Sequence, residues 1–291
     1  MKFQVTSLVI LGVLVCLSSC EPPQLGPYSY EYRDYPVDSL QAPFAEVVVA
    51  YPTNAPANTT FPFISFAHGA FGGGFKTRLG HLGILKSLAS HGFIVAALKN
   101  CQVGCRDGGW DTYYEEQLKV IVWAQSPEMR NDDVIGKVSH ALGYGIAGHS
   151  MGGQATGRSA VRAATYNIKA AIVLHPFAAI MENLGRDIHI PIAGFTGTED
   201  GCCGEDATRK YYDDSPAPKT LANMVGARHT EPNLPNSEWG VYMAAFFKVW
   251  MQGDQGQYYD LMSNAANPDS LCSYHDMATC EHQNLKALSS N

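Results

Sequence analysis

A chain of 291 residues with 46% hydrophobic side chains can bury one sizeable core, and single α/β domains commonly reach this length. A formal charge of −7 with few basic runs argues against nucleic acid and against an anionic membrane surface as partners. Past the N-terminus, no stretch approaches the roughly 20 apolar residues of a membrane-spanning helix.

Lys2, an apolar run over 5–17 and the small residues Ser18-Ser19-Cys20 precede the polar Glu21-Pro22-Pro23-Gln24. This pattern predicts a signal peptide over 1–20 and a mature protein that is secreted or otherwise extracytoplasmic. Leu17-Ser18-Ser19-Cys20 also fits a bacterial lipobox, which would place a lipid anchor on Cys20. Farther on, apolar β-branched runs alternate with longer helical segments, the pattern of a mostly parallel sheet flanked by helices. Strands are expected over 44–51, 63–67, 93–98, 143–147, 170–174, 192–196 and 220–225, and helices over 79–90, 113–125, 152–165 and 239–252. The segment 52–58 is rich in turn formers, and its Asn58 opens an Asn-Thr-Thr glycosylation sequon, usable in a eukaryotic source. A single catalytic domain is expected over 21–252, followed by a polar peripheral extension over 253–291.

Removing the signal leaves Cys101, Cys105, Cys202, Cys203, Cys272 and Cys280, an even set that points to disulfides in an exported chain. Short loops favour Cys101–Cys105 and Cys272–Cys280, the second stapling the C-terminal extension. Cys202 and Cys203 are then left to bridge each other or to reach Cys101 and Cys105. Their neighbours Glu199 and Asp206 raise the question of a metal site, but the spacing matches no common zinc pattern, so no metal is expected and a bridge that stiffens the loop is favoured.

The expected strand 143–147 runs into Gly148-His149-Ser150-Met151-Gly152-Gly153, a Gly-x-Ser-x-Gly elbow followed by a helix of small residues. Such an elbow lifts the serine clear of the sheet, and its glycines avoid clashes in a strained turn. Ser150 is the expected nucleophile, with His149 structural. A serine hydroxyl needs a histidine to take its proton and a carboxylate to orient that histidine. On an α/β-hydrolase sheet the acid and then the histidine follow the serine, each after a later strand. The loop Gly197-Thr198-Glu199-Asp200-Gly201 nominates Asp200, with Glu199 and Asp206 as fallbacks, and Gly226-Ala227-Arg228-His229 nominates His229. His275 and His282 fall in the tail, away from any expected strand. Met151 N–H and Ala70 N–H, in the loop Ala67-His68-Gly69-Ala70-Phe71, are the expected oxyanion donors, with His68 fixing that loop by hydrogen bonding. The loop has neither Gly-Lys-Ser/Thr nor Gly-x-Gly-x-x-Gly, which argues against a nucleotide site.

Three blocks resemble the serine α/β-hydrolases that include dienelactone hydrolase-like esterases, cutinase-type polyester hydrolases, chlorophyllases and platelet-activating-factor acetylhydrolases. They are Phe63-Ile64-Ser65-Phe66-Ala67-His68-Gly69-Ala70, Leu88-Ala89-Ser90-His91-Gly92-Phe93-Ile94-Val95-Ala96-Ala97 and Ala147-Gly148-His149-Ser150-Met151-Gly152-Gly153. The resemblance implies a single-domain α/β-hydrolase fold and a Ser150–His229–Asp200 triad with Ala70 and Met151 as oxyanion donors. It implies action on carboxylic esters without a cofactor. The chain departs from many chlorophyllases, which have arginine at Met151, and from polyester hydrolases, which have an aromatic residue at Ala70. The substrate is therefore left as a small-molecule, lipid or polymeric ester. In this fold Leu174-His175-Pro176-Phe177 should wall the pocket. Phe71, Trp110 and Phe177, with His175, either line that pocket or pack as ordinary core residues. The competing reading is a non-catalytic binding module on the same scaffold.

Overall fold

The computed structural model describes residues 25–179, 183–273 and 276–285; the expected signal peptide, Cys20 and His275 lie outside them. The chain opens with β1 (Tyr30–Pro36), β2 (Glu46–Pro52) and β3 (Phe63–Ala67), then α1 (Lys76–Gly80), α2 (Leu82–Ser90) and β4 (Ile94–Leu98). Next come α3 (Tyr113–Ala124), α4 (Pro127–Arg130), β5 (Tyr144–His149), α5 (Met151–Ala160), α6 (Ala163–Tyr166) and β6 (Ile168–Leu174). The last third holds β7 (Ile192–Gly197), α7 (Glu205–Tyr212), β8 (Lys219–Met224), α8 (Trp239–Gln252), α9 (Gln257–Ser263) and β9 (Met277–Gln283).

These strands form one sheet in the order β1-β2-β4-β3-β5-β6-β7-β8-β9. Neighbours from β4 to β8 run parallel, while β1, β2 and β9 add antiparallel edges. This is the expected α/β-hydrolase architecture. Both faces of the sheet are covered, which is why its strands read as continuous apolar runs. Along β2, Val47 and Val49 join the core on one face and Val48 and Ala50 the core on the other; on β4 Ile94, Ala96 and Leu98 alternate in the same way with Val95 and Ala97. Residues of α3 and α5 complete the first core and those of α2 and α8 the second. No helix among the described residues is long and apolar enough to cross a membrane.

Several features depart from the sequence expectation. The helix expected over 79–90 is interrupted at His81 (φ −136°), and the one expected over 152–165 is divided into α5 and α6. Two further strands lie at the sheet edges, where polar residues interrupt the apolar pattern: β1 carries Glu31, Arg33 and Asp34, and β9 carries Glu281, His282 and Gln283. The segment 253–285 is thus not merely peripheral, since β9 pairs with β8 along its length and α9 packs on α8. His282, expected away from any strand, lies on β9 with its Nδ1 3.1 Å from Thr220 Oγ1, at the opposite end of β8 from His229. The bridges are Cys101–Cys105, Cys202–Cys203 and Cys272–Cys280, which resolves the alternatives left open by the sequence.

A buried amide ties the layers together beneath the elbow. From α3, Gln117 Nε2 donates to Ala147 O on β5 (3.0 Å), Thr156 Oγ1 on α5 (3.0 Å) and Ser65 O on β3 (3.2 Å), while its Oε1 accepts from Ser159 Oγ (2.8 Å). Replacing it with an apolar residue leaves buried donors and acceptors unsatisfied, at roughly 1–3 kcal/mol each. Gln117→Leu should lower the urea midpoint accordingly; an unchanged midpoint would show that the network carries no stability.

Candidate functional site

The end of β5 sets the geometry. Ser150 takes φ 57° and ψ −117°, a conformation costly for a side-chain-bearing residue, and it makes a sharp strand-to-helix turn into α5. The turn closes only because its neighbours lack Cβ atoms: one on Gly148 would overlap the carbonyl oxygen of Gly152, and one on Gly152 that of Ala67. Backbone bonds from Ser150 N–H to Leu174 O (3.0 Å) and from Phe177 N–H to Ser150 O (3.0 Å) lock the turn against the end of β6.

Three side chains meet there. His229 Nε2 lies 2.9 Å from Ser150 Oγ, and His229 Nδ1 lies 2.9 Å from Asp200 Oδ2. Asp200 comes from the loop after β7 and His229 from the loop after β8, as the order of elements requires. Neither fallback takes the acid's place: Glu199 is engaged with Arg228, and Asp206 is exposed at the start of α7. The Asp200 carboxylate is fully used. Its Oδ1 accepts from the backbone N–H groups of Cys202 (2.9 Å) and Cys203 (2.8 Å), and its Oδ2 accepts from His175 Nδ1 (2.8 Å) as well as from His229. Burial alone pushes this carboxyl up, but the bonds from His175, His229, Cys203 and Cys202 outweigh it and hold Asp200 far below the usual carboxylate range. The sulfurs of Cys202 and Cys203 are bonded to each other, so they stiffen the acid loop rather than offering thiolates.

The loop after β3 runs beside the serine, since a Cβ on Gly69 would lie 3.1 Å from Ser150 Cβ. His68 holds it, as the sequence suggested: its ring nitrogens lie 2.7 Å from Gly69 O and from Asn100 O, and the neutral ring donates to one of the two. Ala70 follows in this loop, and Met151 opens α5, whose first N–H groups have no carbonyl partner within the helix. His149 is buried against His229, its Nε2 donating to that residue's backbone carbonyl at 2.8 Å. Of the expected pocket residues, Trp110 and Phe177 meet edge to face with centroids 5.0 Å apart, and Trp110 Nε1 donates to Val103 O inside the Cys101–Cys105 loop. Phe71 is 71% exposed. His175 is a correction: it is completely buried, because its ring is held between Asp200 and Trp239, and it does not line the cleft. Asn58 is exposed in its turn.

Fold and site together define a protein built like an α/β-hydrolase, with a serine, a histidine and an acid aligned at the carboxyl ends of parallel strands. The family model of PET hydrolase-like proteins matches residues 23–281, and the chain belongs to that family. It is 27% identical over 200 residues to cutinase est2 of Thermobifida alba, covering 68% of this chain and 62% of the relative. Cutinase est1 of the same organism is 26% identical over 200 residues, with 68% and 63% covered. The match thus spans less than two thirds of either relative's length.

The site is rich in buried imidazoles that must stay neutral. Burial lowers the pKa of His68, His149 and His175 and brings His81 to about 3. Unfolding restores each to roughly 6.5, so below that pH the unfolded chain takes up protons that the folded one refuses. The stability these groups contribute is complete above about pH 6.5 and falls on acidification, by about 1.4 kcal/mol per pH unit for each proton. Asp200, depressed by its hydrogen bonds, loses its contribution in the same direction below about pH 4. Glu231, pushed up to about 7 by burial, opposes the histidines as one proton against four. The melting temperature should therefore drop steeply between pH 6.5 and 4; a flat profile would contradict the buried, neutral histidines.

Proposed function

We propose that this protein is an exported serine hydrolase of carboxylic esters, working through an acyl-enzyme. The observation that carries the reading is the unbroken chain Ser150 Oγ, His229, Asp200, with both links at 2.9 Å. Ser150 attacks the ester carbonyl while His229 Nε2 takes its proton. Asp200, kept ionised by its donors, holds the ring with Nδ1 protonated and stabilises the imidazolium that forms. The tetrahedral oxyanion rests on the N–H groups of Ala70 and Met151, and an oxyanion donor of this kind is worth about 100- to 1000-fold in turnover. His229 returns the proton to the departing alcohol; water then enters, loses a proton to His229 and releases the acid.

Membership of the PET hydrolase-like family and the likeness to cutinases favour bulky or polymeric esters as substrates. The Trp110–Phe177 pair supports this, since Phe177 N–H bonds to Ser150 O and the two rings next to it would offer an aromatic wall to an acyl chain or ring. Three disulfides support export to an oxidising compartment.

Ser150→Ala should abolish hydrolysis of short-chain aryl esters and of polyester film while leaving the thermal unfolding curve nearly unchanged. Asp200→Asn should cut turnover by about four orders of magnitude, and Asp206→Asn should stay near the wild type. Substantial turnover in Ser150→Ala would assign the chemistry to another residue.

A further inference from the structure

The hydrolase reading uses one histidine on Asp200, but the carboxylate holds two. His175 Nδ1 lies 2.8 Å from Asp200 Oδ2, the oxygen that His229 Nδ1 approaches at 2.9 Å. The two rings stand nearly perpendicular, at 86°, with centroids 6.0 Å apart. On its far side His175 Nε2 lies 3.3 Å from Trp239 Nε1. An indole N–H can only donate, so Nε2 must be the unprotonated nitrogen and Nδ1 must carry the proton. The ring has no solvent exposure, which opposes a charge on it. Trp239 is itself immobile: fully buried at the start of α8, it stacks on Phe195 of β7 at 4.9 Å.

We propose that His175 is a positioning residue for the ester hydrolysis, a neutral imidazole whose Nδ1–H holds the Asp200 carboxylate in place and charged so that Asp200 can orient His229. The proposal rests on the hydrolase reading above. The relay runs from the second core to the site: Phe195 fixes the Trp239 indole, Trp239 fixes the His175 tautomer, and His175 fixes Asp200 Oδ2. Cys202 and Cys203 hold only Oδ1, so without His175 the carboxylate could swing about that pair of bonds and carry His229 away from Ser150. When His229 becomes an imidazolium, the second donor also lowers the proton affinity of Asp200, which keeps the proton on the histidine. A carboxylate with two fixed donors on each oxygen is preorganised, and that saves reorganisation during the reaction.

Two substitutions separate this role from plain packing. His175→Leu keeps the bulk and removes the donor. His175→Asn keeps an amide N–H where Nδ1 stood, and asparagine tolerates the left-handed backbone found here (φ 42°). Loss of a hydrogen bond to a charged group predicts about a 10- to 100-fold fall in kcat for His175→Leu on an aryl ester, with KM within about twofold. His175→Asn should recover most of that loss. Where His175→Leu fails to fold, Trp239→Phe provides the milder test, since freeing the tautomer should lower kcat by about threefold without changing KM. In protein with ¹⁵N-labelled histidine, two downfield Nδ1–H resonances should be seen, and the one from His175 should persist in His229→Ala. A folded His175→Leu with wild-type kcat would overturn the proposal, as would equal losses in the Leu and Asn variants. If the wild type hydrolyses no ester, the hydrolase reading falls and this role with it; turnover that ignores His175 refutes this role alone.

Discussion

A carboxylate buried at the carboxyl end of a sheet survives as an anion only if its oxygens are saturated with donors, and Asp200 meets that condition with four. The donors arrive from three loops: Cys202 and Cys203 after β7, His175 after β6, and His229 after β8. Each loop leaves the same end of a parallel sheet, so the sheet register fixes where the anion can sit. The vicinal bridge narrows the choice further by stiffening the two N–H groups that meet Oδ1. Charge, loop geometry and disulfide are thus one arrangement. In the proposed mechanism Asp200 needs this arrangement because it must face an imidazolium without taking its proton.

The elbow imposes the complementary constraint. A serine with φ 57° is tolerated only where the surrounding packing over-determines it. Here Leu174 O and Phe177 N hold it from β6 and the following loop, and Gln117 ties β3, β5 and α5 together below it. His149, inside the elbow, reaches the backbone of His229, so the strained turn also supports the loop bearing its partner. The Cys101–Cys105 loop steadies a neighbouring contact, since Val103 O accepts from Trp110 Nε1 while the Trp110 ring meets Phe177.

Much of this was legible in the chain itself. The doubly covered sheet leaves apolar runs that mark β2 to β8, and the order of elbow, acid loop and histidine loop in the chain points to Ser150, Asp200 and His229. The edges were harder to read. In β1 and β9 polar residues interrupt the apolar run, so the strand signal is diluted, and the tail that holds β9 reads as an appendage. His175 was misread for another reason: its position after β6 is visible, but the direction of its ring depends on Asp200 and Trp239, from segments 25 and 64 residues away. Sequence order shows which loops converge; it does not show which side chains turn inward. Gln117 and Trp239 were missed on the same ground, since a buried amide and a buried indole look like ordinary helix residues until their partners are known.

Hydrolysis by this route requires the acyl group of the ester to become covalently joined to Ser150 Oγ as the alcohol leaves, and that species can be trapped. Protein mixed with a p-nitrophenyl ester and quenched in acid within the first turnovers should gain one acyl mass, and peptide sequencing should place it on Ser150. The same modification should accumulate in a variant whose deacylation is slowed. An acyl group found on another residue, or turnover with no acyl protein formed, would rule out Ser150 as the nucleophile.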